Sequence, residues 1–142
     1  MTTERLNRER DILNKYFRGM FQFFNIHQPR EYLEIRLKTQ SGSMYVLKIE
    51  IEPDYPSSMP SVFVTYPGTL LDFYGSKMLS ASGPMHILNG KGGFTKICHT
   101  WSTNWNPNRT LFQVVMKTRL WLEAYEGHKR TGNLMDHYLS EN

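Results

Sequence analysis

The chain has 142 residues, 39% of them apolar, and a formal charge of +4. This length fits one domain, 1–142, with room for a real core, and the composition excludes a disordered chain. No apolar run approaches the roughly 20 residues that a membrane span needs. The basic residues are scattered through Arg5, Arg8, Arg10, Lys15, Arg18 and the C-terminal part rather than massed into a nucleic-acid arm.

Met1-Thr2-Thr3-Glu4-Arg5 mixes charges and opens no apolar stretch, so it does not read as a signal peptide. Cys98 is the only cysteine and cannot close an internal disulfide. A reduced, cytoplasmic setting is expected.

Residues 3 to 18 predict a helix. Leu6, Ile12, Leu13, Tyr16 and Phe17 form its apolar stripe, while Glu4, Arg5, Arg8, Glu9, Arg10 and Asp11 are expected to face away. Thr2 or Thr3 would cap it and Gly19 would stop it. Three strand signals follow, at residues 20–24, 32–38 and 45–52. The last two alternate around the turn Gln40-Ser41-Gly42-Ser43 and predict an antiparallel hairpin with one polar face. Residues 61–66 make a fourth strand. The expected fold class is therefore α+β, with an N-terminal helix and a four-stranded antiparallel meander.

Asp54 to Pro60 joins the third and fourth strands, and its two prolines make a stiff link that cannot pair within a sheet. Residues 67–84 read as loop, with a short helical turn expected at Leu70–Tyr74. His86 to Pro107 shows little periodicity and reads as one long functional loop. It carries Cys98, two of the three tryptophans, and Gly90, Gly92 and Gly93. Thr110 to Tyr125 is the clearest helix, capped by Asn108 or Thr110 and stopped by Gly127. A short terminal helix is expected at residues 133–139.

The chemistry centres on Cys98. A thiol serves as both nucleophile and leaving group near neutral pH, which suits a carrier of acyl groups. As a nucleophile it is expected to be partly exposed, with its thiolate aided by His99 if that ring is protonated. A buried structural cysteine is the plainer alternative. One cysteine and five scattered histidines show no metal-ligand spacing, and no cofactor is implied. A Cys98–His99 protease pair is disfavoured, because neighbours in an extended segment point to opposite faces.

The order of these pieces resembles the ubiquitin-conjugating enzyme family over residues 4 to about 126. Tyr55-Pro56-Ser57-Ser58-Met59-Pro60 is similar to the family's Tyr-Pro-x-x-Pro-Pro turn, and His86-Ile87-Leu88-Asn89 to its His-Pro-Asn signature. Lys96-Ile97-Cys98 is similar to its active-site segment, and Trp105-Asn106-Pro107 to the Trp-x-Pro before its second helix. The His-Pro-Asn proline is missing, Asn89 comes one residue late, and His99 stands where the family usually has Leu. These departures, with a short C-terminal end, resemble the small stand-alone bacterial members found in antiphage and ubiquitin-like operons.

The resemblance implies a UBC-like fold in which the long loop leads into a central C-terminal helix. It also implies a thioester on Cys98, formed with the C-terminus of a ubiquitin-like protein or of a nucleotide cyclase and passed to a lysine or another nucleophile. The candidate catalytic set is Cys98, Asn89 and His86. Asn89 would donate to the oxyanion or else brace the loop, and His86 reads more simply as a structural histidine. His99, Trp105, Glu126 and His128 are candidates for positioning substrate, with Glu126 and His128 considered for deprotonating the amine. Trp105 reads first as cover for the loop. No glycine-rich phosphate loop is visible, so an adenylating partner would have to supply activation. An acceptor protein completes the expected partners, with neither membrane nor nucleic acid among them. The rivals are a catalytically inactive UBC-like binding module and a cysteine hydrolase.

Overall fold

The computed structural model describes residues 1–139, so the last three residues of the expected 1–142 domain lie outside it. Helix α1 spans Thr3–Tyr16, and Thr2 caps it by accepting from Arg5 N at 3.1 Å. Strands β1 Phe21–Phe24, β2 Tyr32–Lys38, β3 Met44–Glu50 and β4 Ser61–Tyr66 follow. Then come β5 Ile87–Lys91, β6 Phe94–Ile97, a short 3-10 turn at Ser102–Asn104 and helix α2 Leu111–Thr131. A second 3-10 turn, Met135–His137, closes the described chain.

The fold is α+β, and its sheet is antiparallel in the order β1-β2-β3-β4-β6-β5. The sheet thus has six strands where four are expected. The difference lies in residues 86–97, which form a hairpin rather than a loop. Lys91 pairs with Phe94 across Gly92 and Gly93, whose φ values of +63° and +81° suit the tight turn that matches strand twist. Helical turn is also absent at Leu70–Tyr74. Leu71 bridges to Lys77, and the Asp72 carboxylate accepts from Tyr74 N and Ser76 N, both at 2.9 Å, to close the loop.

Every strand sends residues into one apolar cluster, including Phe23, Leu33, Ile49, Val62, Ile87 and Ile97. Leu6 and Leu13 of α1 and Val114, Val115, Trp121 and Leu122 of α2 cover that face. Along β2 the alternate residues Glu34, Arg36 and Lys38 remain exposed. Among the described residues no helix is long and apolar enough to cross a membrane.

Helix α2 begins in a capping box. Thr110 Oγ1 accepts from Gln113 N at 3.2 Å, and the Gln113 side chain accepts from Thr110 N at 2.9 Å. It runs through Gly127 and stops at Gly132, which adopts φ +79° and donates its N–H to His128 O at 2.8 Å. Gly127 serves packing instead of termination: a Cβ there would lie 2.9 Å from the Tyr138 ring.

Two residues expected on the outer face of α1 point inward. Glu9 is fully buried, and Arg5 is largely covered. Glu9 accepts from Arg5 Nε at 3.0 Å, from Leu111 N at 3.1 Å and from the Tyr55 hydroxyl. Arg5 also donates to Arg109 O at 2.5 Å and Pro107 O at 3.2 Å. One ion pair therefore joins α1, the proline link and the start of α2. Removing one partner strands the other in the interior, so Glu9→Ala is expected to lose about 3 kcal/mol of stability. Urea unfolding measures this; a loss under about 1 kcal/mol, the range of a surface pair, contradicts the assignment.

Candidate active site

Cys98 directly follows β6. Its N–H continues the ladder by donating to His86 O at 3.0 Å. The same carbonyl accepts from Trp121 Nε1 at 3.0 Å, so the strand position opposite the cysteine is tied to α2. Beyond Cys98, the His99 imidazole donates from Nε2 to Pro60 O at 2.9 Å, and Trp105 Nε1 donates to Pro56 O at 2.9 Å. Between these two anchors, Trp101, Ser102, Thr103 and Asn104 stand exposed around the 3-10 turn.

The thiol is not partly exposed as expected. Cys98 is only 4% accessible, and Sγ donates to Thr100 O at 3.4 Å. Burial pushes its pKa up, because desolvation disfavours the thiolate. His99 gives no help. It is 3% exposed, and burial first, then the cations Arg109, Lys96 and Lys117, hold it below the ordinary histidine range despite its bond to Pro60. A ring kept neutral at pH 7 cannot stabilise a thiolate by charge.

The other candidate residues lie as follows. His86 adopts φ +53°, is buried, and donates from Nε2 to Asp136 Oδ1 at 2.5 Å; its ring lies 5.8 Å from that of Trp101. Asn89 is exposed on β5, and its Oδ1 accepts from Ala81 N at 2.8 Å. With Cys98 opposite His86, Asn89 sits three residue steps away, roughly 10 Å along the strand. That geometry braces the 79–90 segment and leaves Asn89 out of reach of an acyl group on Cys98. Trp105 covers the loop, with its ring 6.3 Å from those of Tyr55 and His99.

Glu126 accepts from Thr39 Oγ1 and Ser41 Oγ at 2.7 Å and from the Tyr45 hydroxyl at 2.8 Å. These donors outweigh desolvation and lower its pKa. They also fix it at the β2–β3 turn, and β3 runs about 20 Å from there to the sheet end where Cys98 lies. His128 accepts from Phe73 N at Nε2, 3.0 Å, and donates from Nδ1 to Asn133 O, 2.7 Å, so both ring nitrogens secure the end of α2. The structure brings together Cys98, His86, His99 and Trp105, and leaves Asn89, Glu126 and His128 apart from them.

Two features escaped the sequence. Asp136 reaches His86 from fifty residues away, which no local pattern signals. Thr100 is 1% exposed, and its Oγ1 is one of two buried side-chain atoms among the described residues with no hydrogen-bond partner, the other being Arg109 Nε. An unpaired buried hydroxyl costs about 1–3 kcal/mol, so its place two residues from the only thiol stands out.

Two surface clefts lie away from Cys98. One of about 490 Å³ is lined by Arg30, Lys48, Glu50 and Lys91 among others, and one of about 240 Å³ follows α2 from Arg109 to Leu120. Cys98 lines neither. Among the described residues no group of three His, Cys, Asp or Glu side chains is placed to hold a metal ion. No family model matches the chain, and neither a curated protein nor a solved structure matches it significantly.

Two outcomes are expected. Iodoacetamide alkylation of Cys98 should run slower than that of a free thiol at pH 7.5 and keep accelerating above pH 9; a free-thiol rate at pH 7.5 contradicts the burial. For His99, the unfolded chain takes up a proton below about pH 6.5 that the folded ring refuses, so stability falls with pH in that window. The urea midpoint should drop between pH 7 and 5.5, and less so in His99→Gln; equal drops in both proteins would clear His99 of the effect.

Proposed function

We propose that the chain is an acyl carrier of the ubiquitin-conjugating type, with Cys98 holding a glycyl thioester and passing it to a lysine or another nucleophile. The observation that carries the reading is the position of the lone thiol. It follows the last strand and precedes a short 3-10 turn, a Trp-x-Pro and the capped start of α2. It is anchored on either side while the residues Trp101–Asn104 beside it stand exposed. Loading requires the structure around the thiol to open, since Cys98 is only 4% accessible and Sγ donates to Thr100 O.

A raised thiol pKa slows both fates of a thioester on Cys98, hydrolysis and transfer to an amine. A more basic thiolate is a poorer leaving group, so its thioester survives longer against water, and the covered site excludes water further. The donor would be the C-terminus of a ubiquitin-like protein or of a nucleotide cyclase. An adenylating protein would activate it, and an acceptor protein would receive it. A bacterial antiviral operon is the setting that the sequence resemblance favours. The chemistry needs no resident cofactor, and the compartment it needs is a reducing one such as the cytoplasm.

One observation favours a second reading. A cysteine only 4% accessible is what an inactive UBC-like binding module would tolerate as core filler. Reconstitution with an adenylating partner and its ubiquitin-like substrate separates the two. The carrier gives a thiol-sensitive adduct that disappears in Cys98→Ala and becomes thiol-resistant in Cys98→Ser. Conjugation by Cys98→Ala at the wild-type rate eliminates the carrier, and a wild-type adduct eliminates the inactive module.

A further inference from the structure

Transfer from a thioester passes through a tetrahedral oxyanion, which a fixed donor in a water-poor site stabilises. The residue expected to supply it, Asn89, is engaged with Ala81 N and roughly 10 Å along the strand from Cys98. Neither His86 nor His99 offers its Nε2–H, because Asp136 and Pro60 O hold them.

We infer that Thr100 is a catalytic residue whose hydroxyl donates to the acyl oxygen of the Cys98 thioester as it becomes an oxyanion. The inference rests on the carrier reading above. Three observations meet here. Thr100 is 1% exposed, its Oγ1 has no partner, and its carbonyl already receives the Cys98 thiol at 3.4 Å. A buried hydroxyl with no protein partner has its donor available to a group that arrives beside it. An acyl group on Sγ brings such a group, since acylation removes the S–H donor that now binds Thr100 O and adds a carbonyl oxygen next to the residue that carries the unpaired hydroxyl.

The step balances without any further group. The amine lone pair forms the C–N bond, and the carbonyl π pair moves to oxygen, where the Thr100 O–H meets it. Collapse returns that pair to the carbonyl, breaks the C–S bond and releases Cys98 as thiolate. The nitrogen gives its proton to water.

The test uses the full chain acetylated at Cys98 with 4-nitrophenyl acetate, and follows transfer of the acetyl group to hydroxylamine. Thr100→Val keeps the shape and removes the hydroxyl, while Thr100→Ser keeps the hydroxyl. Thr100→Val should slow transfer roughly a hundredfold, the usual loss of an oxyanion donor, and Thr100→Ser should stay near wild type. Iodoacetamide alkylation of Cys98 passes through no oxyanion and should be equal in all three proteins. Thermal stability of Thr100→Val should hold or rise, as an unpaired hydroxyl is being removed. If Thr100→Val slows alkylation and transfer alike, or lowers the melting temperature while Thr100→Ser does not, the hydroxyl is structural and the inference falls. Transfer at the wild-type rate in Thr100→Val also ends it, leaving the carrier intact and the hydroxyl idle or bonded to a water. A wild-type Cys98 that takes no acetyl group ends both.

Discussion

A single carboxylate sets the frame of the molecule. Glu9 lies wholly inside, where an isolated charge would be prohibitive, and it is tolerated because Arg5, Tyr55 and Leu111 N–H all bond to it. Leu111 opens α2, so the negative charge also sits where the helix dipole favours it. Burial, and then Glu9 itself, pushes the Tyr55 hydroxyl's pKa far up, so it remains a donor. The consequence reaches the candidate site. Arg5 grips the carbonyls of Pro107 and Arg109, which fixes the far end of the segment that starts at Cys98.

The near end of that segment is fixed by the sheet. Because β5 and β6 form a hairpin, Cys98 emerges from a paired strand and not from the middle of a free loop. Its N–H is spent on His86 O, which also receives the Trp121 indole, so core and helix hold the cysteine backbone together. Trp101–Asn104 stand exposed around a short 3-10 turn, where Asn104 N donates to Trp101 O at 2.8 Å, Trp105 N donates to Ser102 O at 3.3 Å, and the Trp101 ring lies 5.8 Å from that of His86. Local opening of an exposed turn between two anchors uncovers less of the core than opening the strands on either side of it would.

Both helices, the alternation of β2 and β3 and the stiffness of the Asp54–Pro60 link were legible, because each rests on local periodicity or on proline's fixed geometry. The last hairpin was not read, although Gly92-Gly93 is a recognised two-residue turn. The flanking runs Ile87–Lys91 and Phe94–Ile97 are too short and mixed to show a period of two. The end of α2 was misplaced at Gly127 because a glycine within a helix looks like a stop until Tyr138 is seen packed on it. Arg5 and Glu9 look like an ordinary surface pair, and only the arrival of Tyr55 and Leu111 from distant sequence makes them interior. The position of Cys98 was legible, but its burial was not, since accessibility is set by tertiary packing that no local pattern encodes.

Burial of the thiol bears unequally on the two halves of the proposed reaction. Raising a thiol's pKa by one unit lowers its thiolate fraction near neutral pH about tenfold. The thiolate that remains is about threefold more nucleophilic, given a Brønsted slope near 0.4–0.5. Attack on an incoming thioester therefore falls only about threefold per unit. The same unit makes the thiolate a worse leaving group whenever water approaches the loaded carbonyl. An acceptor amine meets the same leaving group, so the slowing applies to transfer and to hydrolysis alike. The distinction between the two chemistries therefore rests on His99, which as a neutral ring donating to Pro60 O is not placed to act as the acid–base partner of a Cys–His hydrolase.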